Sequence, residues 1–352
     1  MSPRRPPDSS LPRPRTPAAA LRRVAYLLEA ERAPTYKVRA FRRAARTVEE
    51  AGMRRLRSLA ASRRLTNLPG IGEATASVIA AVLAGEPAGY LADLEARRVV
   101  PADPAVAALR AALRGDVHSH SDWSDGGSPI EEMANAAAEL GHDYLALTDH
   151  SPRLTVAHGL DAARLRRQLD VVAEVNERVA PFRLLTGIEV DILLDGSLDQ
   201  EDELLARLDV VVASVHSKLR MDADAMTARM LAAVRSPLTD VLGHCTGRLV
   251  SGRGRPASTF DAGAVFEACA ETGTAVEINS RPERRDPPEE LLRRAVDAGC
   301  LFSIDTDAHA PGQLEWQYLG CEQAVAAGVD PSRVVNTWTL QALGEWAAGH
   351  EG

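Results

Sequence analysis

Asp116-Val117-His118-Ser119-His120 closes a short apolar run with two imidazoles, and the same step recurs down the chain. Leu147-Thr148-Asp149-His150, Gly187-Ile188-Glu189-Val190-Asp191, Ser214-Val215-His216-Ser217, Gly243-His244 and Asp305-Thr306-Asp307-Ala308-His309 each set a His or a carboxylate at, or just after, a run of strand length. Strand candidates end at Val117, Leu147, Ile188, Val215, Leu242, Ile278 and Ile304, and amphipathic helical runs lie between them at 129–140, 161–179, 201–207, 224–234, 261–272 and 288–298. Strands alternating with helices predict a parallel sheet or barrel. Seven units fall short of a full (β/α) barrel and predict a distorted one. In such a barrel all strand C-terminal ends open on one face, so residues spread from 118 to 309 converge.

The chemistry follows from the residue types. His118-x-His120 on an extended segment points both imidazoles the same way, because side chains alternate with period two, and Asp307-x-His309 repeats the geometry. Imidazole with carboxylate suits zinc, manganese or iron. His118, His120, His150, Glu189, His216, His244, Glu277, Asp307 and His309 exceed the roughly four ligands one zinc takes, which implies two or three metals. A multinuclear site holds a bridging hydroxide as nucleophile and clamps phosphoryl oxygens, the chemistry of phosphoester hydrolysis. The remaining histidines have other readings: His142 precedes its strand and belongs at the opposite mouth, His350 is in a tail, and His158, in a loop after the second strand, is a candidate substrate contact.

Composition bounds the setting. With 352 residues, 45% hydrophobic and 26% charged, the chain is long enough for two domains and ordinary for a globular protein. No run is long and apolar enough for a membrane helix, and Arg4-Arg5 are not followed by the apolar stretch of an export signal. Cys245, Cys269, Cys300 and Cys321 contain no CxxC pair, which argues against a zinc knuckle and a disulfide framework and for a reduced, cytoplasmic setting. The net charge of −8 conceals a division: residues 1–65 hold 17 Arg or Lys against 5 Asp or Glu, and the remainder is acidic. A basic segment on an acidic body suggests a polyanion contact at the N-terminal end.

Residues 1–19, rich in Pro, Arg and Ser, read as a disordered tail. Residues 20–85 read as a small helical domain. Its stripes are Leu21, Val24, Ala25, Leu27 and Leu28, then Val38, Phe41, Ala44, Ala45 and Val48, then a third helix with Leu56 and Leu59 and a fourth over 74–83. Residues 86–113, with Pro87, Pro101 and Pro104, read as a linker with short helices, and 114–350 as the α/β domain.

The motifs His118-Ser119-His120 with Ser124-Asp125-Gly126, Thr148-Asp149-His150-Ser151, Gly187-Ile188-Glu189, Ser214-Val215-His216, Gly243-His244 and Asp307-Ala308-His309 resemble, in order, those of the PHP (polymerase and histidinol phosphatase) superfamily. The resemblance implies a distorted (β/α)7 barrel with a trinuclear metal site. The ligands it implies are His118, His120, Asp125, His150, Glu189, His216, His244, Asp307 and His309, with Asp122 competing with Asp125 by spacing. Asp149 and Glu277 then orient imidazoles or serve structure. Val156-Ala157-His158-Gly159-Leu160, Thr246-Gly247-Arg248-Leu249 and Glu277-Ile278-Asn279 are most similar to the C-terminal PHP domain of bacterial family-X DNA polymerases, where a proline is typical at the position of Cys245. That subgroup implies a manganese-dependent 3′-5′ exonuclease or 3′-end phosphoesterase.

The N-terminal segment fits the same group. Tyr36-Lys37-Val38-Arg39-Ala40-Phe41-Arg42-Arg43-Ala44-Ala45 resembles the small DNA-binding domain that opens family-X polymerases, and Leu68-Pro69-Gly70-Ile71-Gly72 before a helix resembles a helix-hairpin-helix. Lys37, Arg39, Arg42, Arg43, Gly70, Ile71 and Gly72 are the implied DNA contacts, since a Gly-x-Gly turn lets backbone N–H groups approach a phosphate. Only about 35 residues separate Leu83 from His118, too few for a polymerase palm, and 74–83 lacks a lysine for Schiff-base lyase chemistry. Arg248, Arg253, Arg281 and Arg284 are candidate phosphate grips. The expectation is a DNA-repair phosphoesterase acting on DNA 3′ ends with two or three divalent ions, Mn2+ or Zn2+ with Fe2+ as a further option, and no polymerase activity. A small-molecule phosphatase of the histidinol-phosphatase type is the alternative, and a DNA-binding scaffold with a relic site is disfavoured by the complete ligand set.

Overall fold

The computed structural model describes residues 14–99 and 101–349. The chain divides into two compact units between residues 100 and 101.

The first unit is all helix. α1 (Pro17–Ala30) is capped by the Thr16 hydroxyl, which accepts from the Ala19 N–H at 3.2 Å. α2 (Thr35–Ala61) is interrupted at Gly52 (φ 71°, ψ 152°), a conformation that glycine tolerates best. The second and third helices expected from the stripes are therefore the two arms of one broken helix. α3 (Glu73–Ala84) and α4 (Gly89–Ala96) complete the unit. Leu21, Val24, Phe41, Val48, Leu56, Val78, Ile79 and Leu94 form its core. Two boundaries differ from the sequence reading. α1 starts at Pro17 and buries Pro17 and Ala18, so the ordered chain reaches into the stretch read as a tail; residues 1–13 of that stretch lie outside the described residues. The stretch read as a linker carries α4, whose Leu91 and Leu94 pack in the first core, and α5 (Pro104–Ala112), whose Val106 and Leu109 pack in the second.

The second unit is a parallel seven-stranded sheet in sequential order. Its strands are β1 (Gly115–Asp116), β2 (Tyr144–Leu147), β3 (Arg183–Asp191), β4 (Val210–Ser214), β5 (Val241–Leu242), β6 (Ala275–Asn279) and β7 (Phe302–Asp305). Between them run α6 (Ile130–Glu139), α7 (Ala162–Val179), α8 (Asp202–Leu205), α9 (Ala223–Val234), α10 (Ala262–Thr272) and α11 (Glu289–Ala298); α12 (Gln317–Ala327) and α13 (Leu340–Ala348) follow β7. Each fully buried Leu, Ile, Val or Phe contributes about 1.5–3 kcal/mol, and Ile188, Leu242, Ile278, Phe302 and Ile304 are all buried between sheet and helices.

β1 and β7 share no regular ladder; side chains and one isolated parallel bridge, Ser119 to Ala308, close the seam. The Asp116 carboxylate accepts from the Thr306 N–H and hydroxyl (3.2 and 2.5 Å), Asp305 accepts from the Val117 N–H (2.8 Å), and the His120 N–H donates to the Ala308 carbonyl (2.8 Å). Burial, then repulsion from Asp305, pushes Asp116 well above the carboxylate range. Asn336 fills the lower seam, donating to the Gly115 carbonyl and to Asp305 while accepting from the Ile304 N–H. This seam is the distortion that seven strands imposed. All four cysteines are buried and unpaired by disulfide. Among the described residues no single helix is long and apolar enough to cross a membrane.

Candidate metal centre

The C-terminal ends of all seven strands bring polar side chains into one cluster, and Glu189 sits at its centre. β3 runs on to Asp191, so Glu189 lies inside the strand rather than after it, paired as a parallel bridge with His150. Its Oε1 lies 2.8 Å from His244 Nε2 and 3.2 Å from His216 Nε2. Its Oε2 lies 2.8 Å from His150 Nδ1, 3.4 Å from His118 Nε2 and 3.6 Å from His120 Nε2. On the far side Asp307 Oδ1 is 3.2 Å from His120 Nε2, and Asp125 Oδ1 is 3.4 Å from His150 Nε2 and 3.3 Å from His309 Nε2. All nine expected ligands thus come together. Three overlapping groups, each with ligand atoms within 4.8 Å of one another, could hold a metal ion: His120, Asp125, His150 and His309; His118, His120 and Glu189; and His150, Glu189 and His216. Asp125 rather than Asp122 belongs to these groups.

Buried imidazoles and carboxylates at this spacing set one another's charge. Burial alone would raise Glu189, but His216, His150 and His118 hold it well below the carboxylate range. Asp307 is held down against burial by Arg281, His120 and Arg284. His216 is raised to about 9, Glu189 and Asp191 overcoming the burial that would lower it. His244 falls to about 4 through burial and the Arg284 charge, and His120 falls through burial and its neighbours His309 and His150. Although buried, His118 Nε2, His120 Nε2, His216 Nε2 and Glu189 Oε2 make no hydrogen bond. Leaving such a group unsatisfied costs about 1–3 kcal/mol. Convergent imidazole and carboxylate lone pairs fit divalent cations, which would satisfy all of them at once.

Supporting residues fix these side chains. Glu277 Oε1 lies 2.6 Å from His118 Nδ1, and its Oε2 accepts from the His244 N–H at 2.5 Å, so one carboxylate on β6 orients two strand-end residues. Asp149, also expected to orient imidazoles or serve structure, takes the structural part: it accepts from Ser121 N–H and Oγ (2.8 and 2.6 Å), Ser124 Oγ (2.5 Å) and Gln168 Nε2 (2.6 Å), tying the Asp125 loop to α7. Sequence reasoning assigned no role to Asp191. It accepts from the His216 N–H at 3.1 Å and lies 3.4 Å from His216 Nδ1; the Glu-x-Asp spacing on β3 was the available signal.

The arginine candidates separate. Arg284 Nε lies 3.1 Å from Asp307 Oδ2, and Arg281 Nη1 lies 3.0 Å from the Asp307 carbonyl and 2.8 Å from His309 Nδ1, so both border the cluster. Arg248 is spent on the Arg284 and Arg285 carbonyls. His158 is exposed in the left-handed region (φ 56°), with its carbonyl accepting from Arg164. His142 is buried beside Arg110 (3.4 Å) just ahead of β2, at the other end of the barrel, as the strand order required. His350 lies outside the described residues.

In the first unit, Gly70 adopts φ 72° and Gly72 caps α3, its N–H donating to Thr75 Oγ1 at 2.9 Å. Lys37, Arg39 and Arg43 are exposed on α2. Arg42 instead pairs with the buried Glu29 carboxylate at 2.7 Å, and the Ile71 side chain is buried in the unit's core.

A parallel seven-stranded barrel with this mouth defines a hydrolase acting on phosphate esters. Residues 116–281 match the PHP domain and residues 14–86 a helix-hairpin-helix domain. The chain is 38% identical over 229 residues to the DNA polymerase/3′-5′ exonuclease PolX of Bacillus subtilis, across 65% of this chain and 40% of that protein. It is 30% identical over 193 residues to a probable phosphatase of Shewanella oneidensis, across 53% of this chain and 67% of the relative. A solved histidinol phosphate phosphatase from Lactococcus lactis overlaps at a TM-score of 0.43 and 17% identity, over 60% of this chain and 94% of that one, too slight a likeness to argue from. The chain belongs to the PHP family, and it spans less than half the length of the polymerase it resembles.

Proposed function

We propose that the chain is a metal-dependent phosphoesterase that hydrolyses DNA 3′ ends, as a 3′-5′ exonuclease or 3′-phosphatase in DNA repair, with the N-terminal unit holding the DNA. The observation that carries the reading is the set of five imidazoles around Glu189, joined by His309 through Asp125 and Asp307, with buried lone pairs that no hydrogen bond satisfies. Two or three divalent ions, manganese or zinc with iron as a further option, would be held by His118, His120, Asp125, His150, Glu189, His216, His244, Asp307 and His309. When bound, they supply a nucleophile at neutral pH and Lewis-acid stabilisation of phosphoryl charge.

The protein's own residues orient and shield. Glu277 and Asp191 fix the rings of His118 and His216, and Arg281 and Arg284 add positive charge where the transition state gathers negative charge. The Gly70–Gly72 turn and the exposed Lys37, Arg39 and Arg43 would take the DNA backbone. The short span between Leu83 and His118 supports hydrolysis without polymerisation. A second reading, a small-molecule phosphatase, draws support from the likeness to probable phosphatases. Manganese-loaded protein assayed in parallel on 3′-phosphate DNA, single-stranded DNA and histidinol phosphate decides between them. The proposal predicts turnover on the DNA substrates; turnover on histidinol phosphate alone would reject it.

A further inference from the structure

The mouth of the barrel is electrically divided. Loops 117–129, 148–161 and 192–201, after β1, β2 and β3, hold one basic residue, Arg153, against seven Asp or Glu. Loops 215–222, 243–260 and 280–288, after β4, β5 and β6, hold eight Arg or Lys against three. This happens on a body that is strongly acidic, so it is not a property of the composition at large. The three basic loops form one continuous surface: Ser258 Oγ donates to the Leu219 carbonyl at 2.9 Å, and the Val250 N–H donates to the Glu283 carbonyl at 2.7 Å. Several of their arginines have work within the fold. Arg248 and Arg255 hold loop carbonyls, Arg284 holds Asp307, and Arg285 faces Glu322. Lys218, Arg220 and Arg253 do not. They are exposed and make no ion pair among the described residues. Lys218 stands two residues past His216 in the chain, exposed and in a left-handed conformation (φ 53°).

We infer that Lys218, Arg220 and Arg253 form a phosphate track for the strand whose end is hydrolysed, so that the barrel itself selects a polynucleotide end over a small phosphomonoester. The inference deepens the DNA-end reading and rests on it. Phosphates upstream of the reacting one lie over the β4–β6 half of the rim, and the acidic β1–β3 half repels them, which gives the strand a single side of approach. A small ester has no upstream phosphate and gains nothing from the track.

The test uses the full chain loaded with manganese, with Lys218→Gln, Arg220→Gln and Arg253→Gln combined. Two substrates are compared: a 5′-labelled single-stranded oligonucleotide and p-nitrophenyl phosphate. For the oligonucleotide we expect KM to rise at least about tenfold and the salt dependence of log kcat/KM to flatten by about two, since each single-strand phosphate contact contributes roughly 0.7. Kinetics on p-nitrophenyl phosphate should stay within about twofold, which also reports that the variant folds and holds metal. Arg153→Gln, on the acidic half, should leave both substrates unchanged. An unchanged oligonucleotide KM and salt slope in the triple variant overturns the track, as does an equal loss from Arg153→Gln. Wild-type protein that cleaves p-nitrophenyl phosphate but no oligonucleotide would reject the DNA-end reading itself, and the track with it.

Discussion

His216 offers a quantitative test of the electrostatics, because its imidazole is nearly buried and faces Glu189 at 3.2 Å and Asp191 at 3.4 Å. In metal-free protein its pKa is raised from 6.5 to about 9. A raised folded-state value means that the protonated ring stabilises the fold fully below the unfolded value and loses that contribution as pH climbs through the folded value. The window is therefore about pH 6.5 to 9, and a displacement of roughly 2.5 units corresponds to about 3 kcal/mol. The perturbation is His216→Gln, which keeps a polar side chain and removes the titration. The assay is urea unfolding in the presence of a chelator at pH 6 and pH 9.5, for wild type and variant. Wild type should lose stability between the two, and the variant should lose about 3 kcal/mol less. Saturating metal should reverse the wild-type trend, because ligation needs the neutral ring and favours high pH. An identical pH dependence in wild type and His216→Gln would refute the placement of this imidazole against two carboxylates.

Other outcomes follow from the same geometry. His118→Ala removes a ring held by Glu277 at 2.6 Å and should lower turnover at least about a hundredfold, about 2.7 kcal/mol of barrier, whereas His142→Ala, at the other end of the barrel, should act only through stability, on the order of 1 kcal/mol; activity lost in the second and kept in the first, measured by steady-state kinetics, would overturn the register. Removing residues 1–100 should leave hydrolysis of a small chromogenic phosphoester intact while weakening DNA binding and flattening its salt dependence, as filter binding across a salt series would show. Gly70→Ala meets no atom within 4 Å but must hold φ 72°, so the unfolding free energy read by urea titration should fall by about 1 kcal/mol, and filter binding should show a loss of DNA affinity in the folded variant.

Much of this was legible because the strands of a parallel barrel are short, apolar and buried on both faces, so each announced its end by the first polar residue after it. That rule located His118, His150, His216 and His244 and separated His142, which precedes β2, from the rest. It misplaced Glu189, because β3 continues through Val190 to Asp191 and the carboxylate sits on the strand itself. It passed over Asp191, whose role depends on a neighbour from β4 that local spacing does not name. The arginines were the least legible. Arg248, Arg281 and Arg284 look alike in sequence, yet one holds backbone carbonyls and two border the cluster, and the difference is set by loop geometry after β5 and β6. Arg42 looked like its neighbours Arg39 and Arg43 until Glu29, in the last turn of α1, supplied a buried partner. The break at Gly52 was hidden for the opposite reason: the apolar stripe continues on both sides of it, and periodicity does not register one residue with positive φ.

On the proposed function, nine side chains from six strand ends and the loop after β1 hold several cations. Elemental analysis of protein purified without chelator, then reconstituted with manganese or zinc and desalted, counts them directly. The account predicts two to three ions per chain for wild type, and fewer for Glu189→Gln, whose carboxylate is shared between two of the three groups. A stoichiometry below one in wild type after reconstitution would contradict it.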